Sequence, residues 1–176
     1  TRHGCSPARE WLGGLVSCFA PDESILRFAQ EAVMEDAKRR LLWNGMFLFL
    51  LGLLTGLVEQ QFRNPRMGLA AHLEGVMNGT FLLALGAIWP EIRLSARLTS
   101  VTYWTALYGT YANWAVTTLA GIFGTAAMSP LTAAGHSGKG WQEVLVTLGF
   151  VSVGLAMVAG AVLVLWGLRK KALVQV

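Results

Sequence analysis

One apolar stretch of this sequence concentrates side chains that can do chemistry. Between residues 69 and 89, LAAHLEGVMNGTFLLALGAIW, the polar residues His72, Glu74 and Asn78 stand among aliphatic and glycine neighbours. A second run, residues 98–128, adds Tyr103, Tyr108, Tyr111, Asn113 and Thr117, and a third, residues 41–58, adds Asn44 and Thr55. A polar side chain in such surroundings costs free energy unless it is paired, so each is a candidate site residue. An imidazole can ligate a metal or pass a proton, and amides and hydroxyls can hold a polar substrate atom.

Helical spacing sorts these residues. Gly75 and Gly79 follow His72 by three and seven positions, on its face, where small residues let a flat group or another helix approach closely. The same pattern also describes a histidine bonded to a neighbouring carbonyl, with Gly75 and Gly79 as plain packing positions. Glu74 lies about 200° around the helix from His72. It can face Asn78 one turn on, or an Arg from a neighbouring helix, and a structural pairing is expected for it. Asn113 and Thr117, also one turn apart, can present an amide and a hydroxyl to a cavity, or clamp two helices.

Several chemistries are excluded. No C-x-x-C-H occurs, so covalent c-type haem is out. His3 and His136 lie outside the apolar runs. A haem iron on His72 would therefore keep an open sixth position, which favours substrate binding over electron transfer. H-E-x-x-H, P-loop, G-x-S-x-G and dinucleotide glycine patterns are absent. Cys5 and Cys18 have no partnering motif and are expected to be inert.

The elements that must carry these residues follow from composition. Of 176 residues, 54% are hydrophobic and 14% charged, against about a quarter charged in soluble domains. Residues 1–40 hold six basic and six acidic side chains, leaving eight and four for the other 136. A spanning helix needs roughly 20 apolar residues. Four spans are expected, at about 41–58, 69–89, 98–128 and 144–168, the second ended by Pro90. Residues 1–40 form a polar head. Within it DESILRFAQEAVMEDAKRR reads as an amphipathic helix capped by Asp22, with Ile25, Leu26, Ala29, Ala32 and Val33 on one stripe. It is expected to lie on the membrane surface or under the bundle, ahead of a membrane domain at 41–171 and a tail at 172–176.

With the N-terminus inside, Lys38, Arg39, Arg40, Arg93, Arg97, Arg169, Lys170 and Lys171 flank the cytoplasmic side, against Arg63, Arg66 and Lys139 opposite. Both termini are therefore expected in the cytoplasm. The positive charge belongs to these loops and calls for no nucleic acid. Trp43, Trp89, Trp141 and Trp166 sit where an aromatic belt belongs. The expected fold is all-α: an integral membrane four-helix bundle with an amphipathic N-terminal helix.

The segments LLWNGMFLFLLGLLTGL, NPRMGLAAHLEGVMNGTFLLALGAIWP and YGTYANW closely resemble the hydroxylaminobenzene mutases of bacterial nitroarene degradation, over about residues 41–168. A more distant similarity links them to styrene oxide isomerase, through Ala71-His72 to Asn78-Gly79 and through Gly109 to Asn113. The resemblance implies conversion of hydroxylaminobenzene to 2-aminophenol in a bacterial inner membrane. It also implies a trimer with haem b between subunits, His72 as axial ligand and Asn78 beside the substrate. Gly75 and Gly79 then belong to the cofactor-binding face, and Asn113 and Thr117 are further substrate-side candidates. The isomerase has a Tyr where this chain has Thr117, and a His where this chain has Asn44. Two other functions are compatible with the residues alone: a haem-carrying redox subunit, and a cofactor-free structural or transport protein.

Overall fold

The computed structural model describes residues 23–169, and among them all regular secondary structure is helical. Helices α1 (Glu23–Val58), α2 (Pro65–Ile88), α3 (Ala96–Phe123), the single turn α4 (Pro130–Ala133) and α5 (Gly140–Arg169) follow in order. Short 3-10 turns at Glu59–Gln61 and Trp89–Glu91 flank α2. The expectations for Asp22, Cys5, Cys18, His3, Lys170 and Lys171, and for the side chains of Ile25, Leu26 and Ala29, lie outside the described residues.

Two compact units divide at Glu35 and Asp36, five residues before the expected boundary. The expected surface helix is not a separate element, because α1 runs unbroken from Glu23 into the first span. No Gly or Pro occurs between residues 23 and 44, so nothing in that stretch ends a helix.

Local chemistry sets the other boundaries. Asn64 caps α2, its side-chain oxygen accepting from the Met67 N–H at 3.3 Å, with Pro65 at the first helical position. Pro is suited there because its missing N–H would have no partner anyway. The helix thus starts four residues earlier than expected. α3 stops at Phe123 rather than near Met128, because Gly124 takes φ +67 and its N–H bonds the Ala120 carbonyl at 2.8 Å. That is a left-handed cap, which glycine adopts without steric cost. The loop that follows is organised by Glu143, whose carboxylate accepts from the N–H groups of Ala126, Ala127 and Gly138 at 2.8–3.1 Å.

α1 and α2 meet along glycines. A Cβ at Gly75 would collide with the Gly52 Cα, one at Gly79 with the Phe49 backbone, and one at Gly45 with the Gly79 carbonyl. α3 packs on α2 and, on another face, on α5. There Gly109 receives Met157, Gly149 receives Val116, and the Tyr108 hydroxyl meets Ser152 Oγ at 2.8 Å. α5 buries only Val146, Val153, Gly160 and Gly167, one residue in every seven. Leu148, Leu155, Val158, Val162 and Leu165 are among its large apolar side chains left exposed.

Three segments are long and apolar enough to cross a membrane: Glu31–Gln61, Pro65–Glu91 and Gly140–Arg169. This is the build of a membrane protein. α3 falls short of them in apolarity, since it carries threonines throughout. Thr99, Thr102, Thr105, Thr110, Thr117 and Thr118 each donate to the carbonyl one turn back, at 2.8–3.1 Å. Trp141 and Trp166 are exposed near the ends of α5, as a belt requires, whereas Trp43 is exposed mid-way along α1 and Trp89 is fully buried and packs edge-on against Tyr103. The 3-10 turn closed by Pro90 carries its ring inward instead of leaving it at the surface.

The glycine seam gives a direct test. Gly75→Val should destabilise the protein by about 1–3 kcal/mol, the usual range for overpacking a tight contact, read as a lower unfolding midpoint in detergent. Gly154→Ala, where an added Cβ meets open space, should show no such loss. Equal midpoints for Gly75→Val and the parent would refute the seam.

Candidate functional site

Besides the Tyr108–Ser152 pair, the polar side chains of the apolar helices pair across them in three places. Between α1 and α2, His72 Nδ1 lies 2.8 Å from the Gly52 carbonyl oxygen. A carbonyl only accepts, so Nδ1 carries the hydrogen and Nε2 keeps its lone pair. Gly56 makes the contact possible, since a Cβ there would stand 2.7 Å from Nδ1. The imidazole borders a groove of about 370 Å³ lined by Leu53, Gly56, Leu57, Glu59, Leu69 and His72. One carboxylate oxygen of Glu59 is buried there without a hydrogen-bond partner.

Between α2 and α3, Glu74 is the hub. Its Oε2 accepts from Asn78 Nδ2 at 3.2 Å and from Asn113 Nδ2. Between α1 and α3, the Tyr111 hydroxyl reaches the main-chain and side-chain oxygens of Asn44 at 3.1 Å. One turn along, Trp114 Nε1 donates to Thr55 Oγ1 at 3.0 Å, and Thr55 donates onward to the Leu51 carbonyl at 2.8 Å. These bonds are all made inside the protein, as an apolar surrounding requires, while the indole N–H of Trp89 is buried without a partner.

The candidate residues therefore fall into two groups. Asn78 and Asn113 are brought together through Glu74. Thr117 sits one turn beyond Asn113 and spends its hydrogen on the Asn113 carbonyl at 2.8 Å, leaving it only acceptor capacity. His72 belongs to the opposite side of α2. Gly75 and Gly79 do not clear space for a flat cofactor, because the backbone of α1 already fills their face. They are packing positions that fix His72 against Gly52.

Glu74 pairs with Asn78 as its spacing indicated, but its reach to Asn113 was not legible. No sequence separation announces a contact 39 residues apart. Glu59 was missed altogether; in a three-residue 3-10 turn at the end of a span it reads as an ordinary loop charge. Among the described residues no three His, Cys, Asp or Glu side chains cluster, so an iron or other metal held by this part of the chain would lean on His72 alone.

Residues 37–169 match the styrene oxide isomerase family model. Hydroxylaminobenzene mutase HabB of Ectopseudomonas oleovorans is 50% identical over 132 residues, covering 74% of this chain and 80% of that protein. Hydroxylaminobenzene mutase HabA of the same organism is 40% identical over 128 residues, covering 72% of this chain and 95% of that protein. No solved structure matches the chain. The matched segment contains both groups of polar residues.

The tautomer of His72 can be observed directly. In haem-free protein labelled with ¹⁵N-histidine, His72 should show a protonated Nδ1 and a bare Nε2 when neutral. A neutral ring with the hydrogen on Nε2 would refute the bond to Gly52.

Proposed function

This chain belongs to the styrene oxide isomerase family and is an isomerase, and on that footing we propose that it is a mutase turning hydroxylaminobenzene-type arylhydroxylamines into 2-aminophenols, with haem b held on His72. The 50% identity to a hydroxylaminobenzene mutase, running through both polar groups, is the observation that carries this function. The reaction moves a hydroxyl from nitrogen to the ortho ring carbon with no net redox change. It needs no nicotinamide and no electron partner.

The residues fit the cofactor. A histidine that ligates a metal through one ring nitrogen normally donates its other N–H to a carbonyl or carboxylate, which fixes the tautomer and raises ligand basicity. His72 has that arrangement toward Gly52, with Nε2 bare and an apolar groove beside it. When bound, ferric haem supplies a Lewis acid for the oxygen that leaves nitrogen, in place of the strong acid this bond otherwise needs.

The chain's own groups do the rest. Asn78 and Asn113 each retain one amide hydrogen beyond the bond to Glu74, and these can hold the migrating oxygen near the ring. Thr117 can accept from the substrate's N–H or O–H. Exposed leucines and valines on the helices suit the aryl ring and keep water from the electron-poor intermediate.

His72 and Glu74 are about 200° apart on α2, so a site using both the imidazole and the amide pair requires a second copy of the chain. A homo-oligomer follows, a trimer by resemblance to the isomerase. α3 then serves as the fourth span, its hydroxyls satisfied on its own carbonyls and its polar side chains on its neighbours. The basic flanks support the reading of a four-helix bundle in a bacterial inner membrane with both termini cytoplasmic.

His72→Ala should lose the Soret band and activity together while keeping its helical circular dichroism. Asn78→Ala should keep the band and lose about 2.7–4 kcal/mol of transition-state stabilisation, roughly a hundred- to a thousandfold in rate. Chromatographic assay of 2-aminophenol from hydroxylaminobenzene reads both. A parent protein that forms no 2-aminophenol, or a His72→Ala variant at the parent rate, would sink the proposal.

A further inference from the structure

Glu74 is an intramembrane carboxylate whose environment invites more than a clamp. Both amide bonds fall on one oxygen, Oε2, and leave Oε1 uncommitted. No cation pairs with it among the described residues. The residue is half-buried, at the edge where the face packed on α3 gives way to an exposed apolar strip. Met77 and Phe81, three and seven residues on, lie along that strip and are exposed. A small aromatic molecule resting there would meet one carboxylate oxygen flanked by two amides.

The rearrangement needs such a group. Breaking N–O sends the electron pair with the oxygen, and forming C–O at the ortho carbon leaves that carbon tetrahedral, still bearing its hydrogen, beside an imine nitrogen. Aromaticity returns only when this hydrogen departs as a proton, its C–H pair re-entering the ring, and the nitrogen gains a proton to become NH2. One proton leaves the ortho carbon and one arrives at the nitrogen on the neighbouring ring carbon. No external acid, base or redox partner is needed if a single group carries it.

We propose that Glu74 is that group: its free carboxylate oxygen takes the proton from the ortho carbon and delivers it to the nitrogen. The assignment rests on the arylhydroxylamine function proposed above. Asn78 and Asn113 hold the carboxyl in place from two helices, so the base stays fixed while the substrate turns over. A carboxylate suits a transfer between two atoms borne on adjoining ring positions, because the oxygen that takes the proton from the ortho carbon can release it to the nitrogen across the intervening ring carbon. The step is balanced, and Glu74 ends as it began.

The test compares hydroxylaminobenzene with its 2,6-dideuterated form in detergent-purified parent, Glu74→Gln and Glu74→Asp, with haem content and oligomer mass recorded for each. Glu74→Gln should keep haem and mass, turn over about a hundredfold more slowly or worse, as lost general base catalysis does, and show a larger deuterium isotope effect than the parent. A merely structural role would slow the enzyme without moving the isotope effect, and that outcome overturns the assignment, as does a variant at the parent rate. If Glu74→Gln cannot be recovered, Glu74→Asp decides. A slower enzyme with a raised isotope effect supports the shuttle, and an isotope effect equal to the parent's refutes it. A parent inactive on hydroxylaminobenzene refutes the substrate class and the shuttle with it, whereas an active parent with a parent-like Glu74→Gln refutes the shuttle alone.

Discussion

The backbone of α1 touches the backbone of α2 at Gly52 and Gly75, and the remaining geometry follows from how close that contact is. Apolar side chains gain nothing by leaving lipid tails for each other, so spanning helices are held by van der Waals packing and by polar pairing. Glycine removes the side chain that would hold two helices apart. Gly45, Gly52 and Gly56 on α1 meet Gly79, Gly75 and His72 on α2 in register. At that separation the His72 ring reaches a carbonyl on the neighbouring helix, a bond that a larger residue at Gly56 would prevent.

The same economy governs the polar groups. Threonines of α3 return their hydrogens to their own helix, which settles them without calling on a neighbour. Groups too long or too rich in donors for that solution, Tyr111, Asn113 and Trp114, cross to α1 and α2 instead. α3 consequently has neighbours on several faces, α2 and α5 along its length and α1 through Tyr111 and Trp114. α5 is the reverse: it gives up one narrow stripe of small residues and presents the remainder outward. Exposed surface of that extent suits lipid or another copy of the chain.

Chemically, the separation of His72 from the Glu74 group matters as much as either alone. In the proposed reaction, an imidazole with a free Nε2 beside an apolar groove and a carboxylate gripped by two amides take complementary parts. One faces the oxygen that leaves and the other the proton that must move. Their position on opposite sides of α2 ties the proposed chemistry to assembly, and an oligomeric site has no need to bury either half completely within one chain.

Much of this was legible in the sequence. The apolar runs at 41–58 and 144–168 announced helices, because only a helix satisfies its backbone in lipid. Pro90 announced the end of α2, because proline cannot continue it. The spacing of Glu74 and Asn78 allowed their bond, because residues four apart share a helix face, but left an Arg from a neighbouring helix as an equal partner. The alternative of a carbonyl-bonded His72 with packing glycines was also visible, but spacing could not choose between it and a cofactor face. Tertiary structure puts α1 against Gly75 and Gly79 and bonds His72 Nδ1 to Gly52 while leaving Nε2 bare, since which helix fills the space above Gly75 depends on a partner 23 residues away. It likewise decided that Trp89 turns inward, that α3 ends at Gly124, and that Glu74 joins Asn113 to Asn78. Each of these is a relation between residues distant in sequence, and local propensity carries no information about which distant surface arrives.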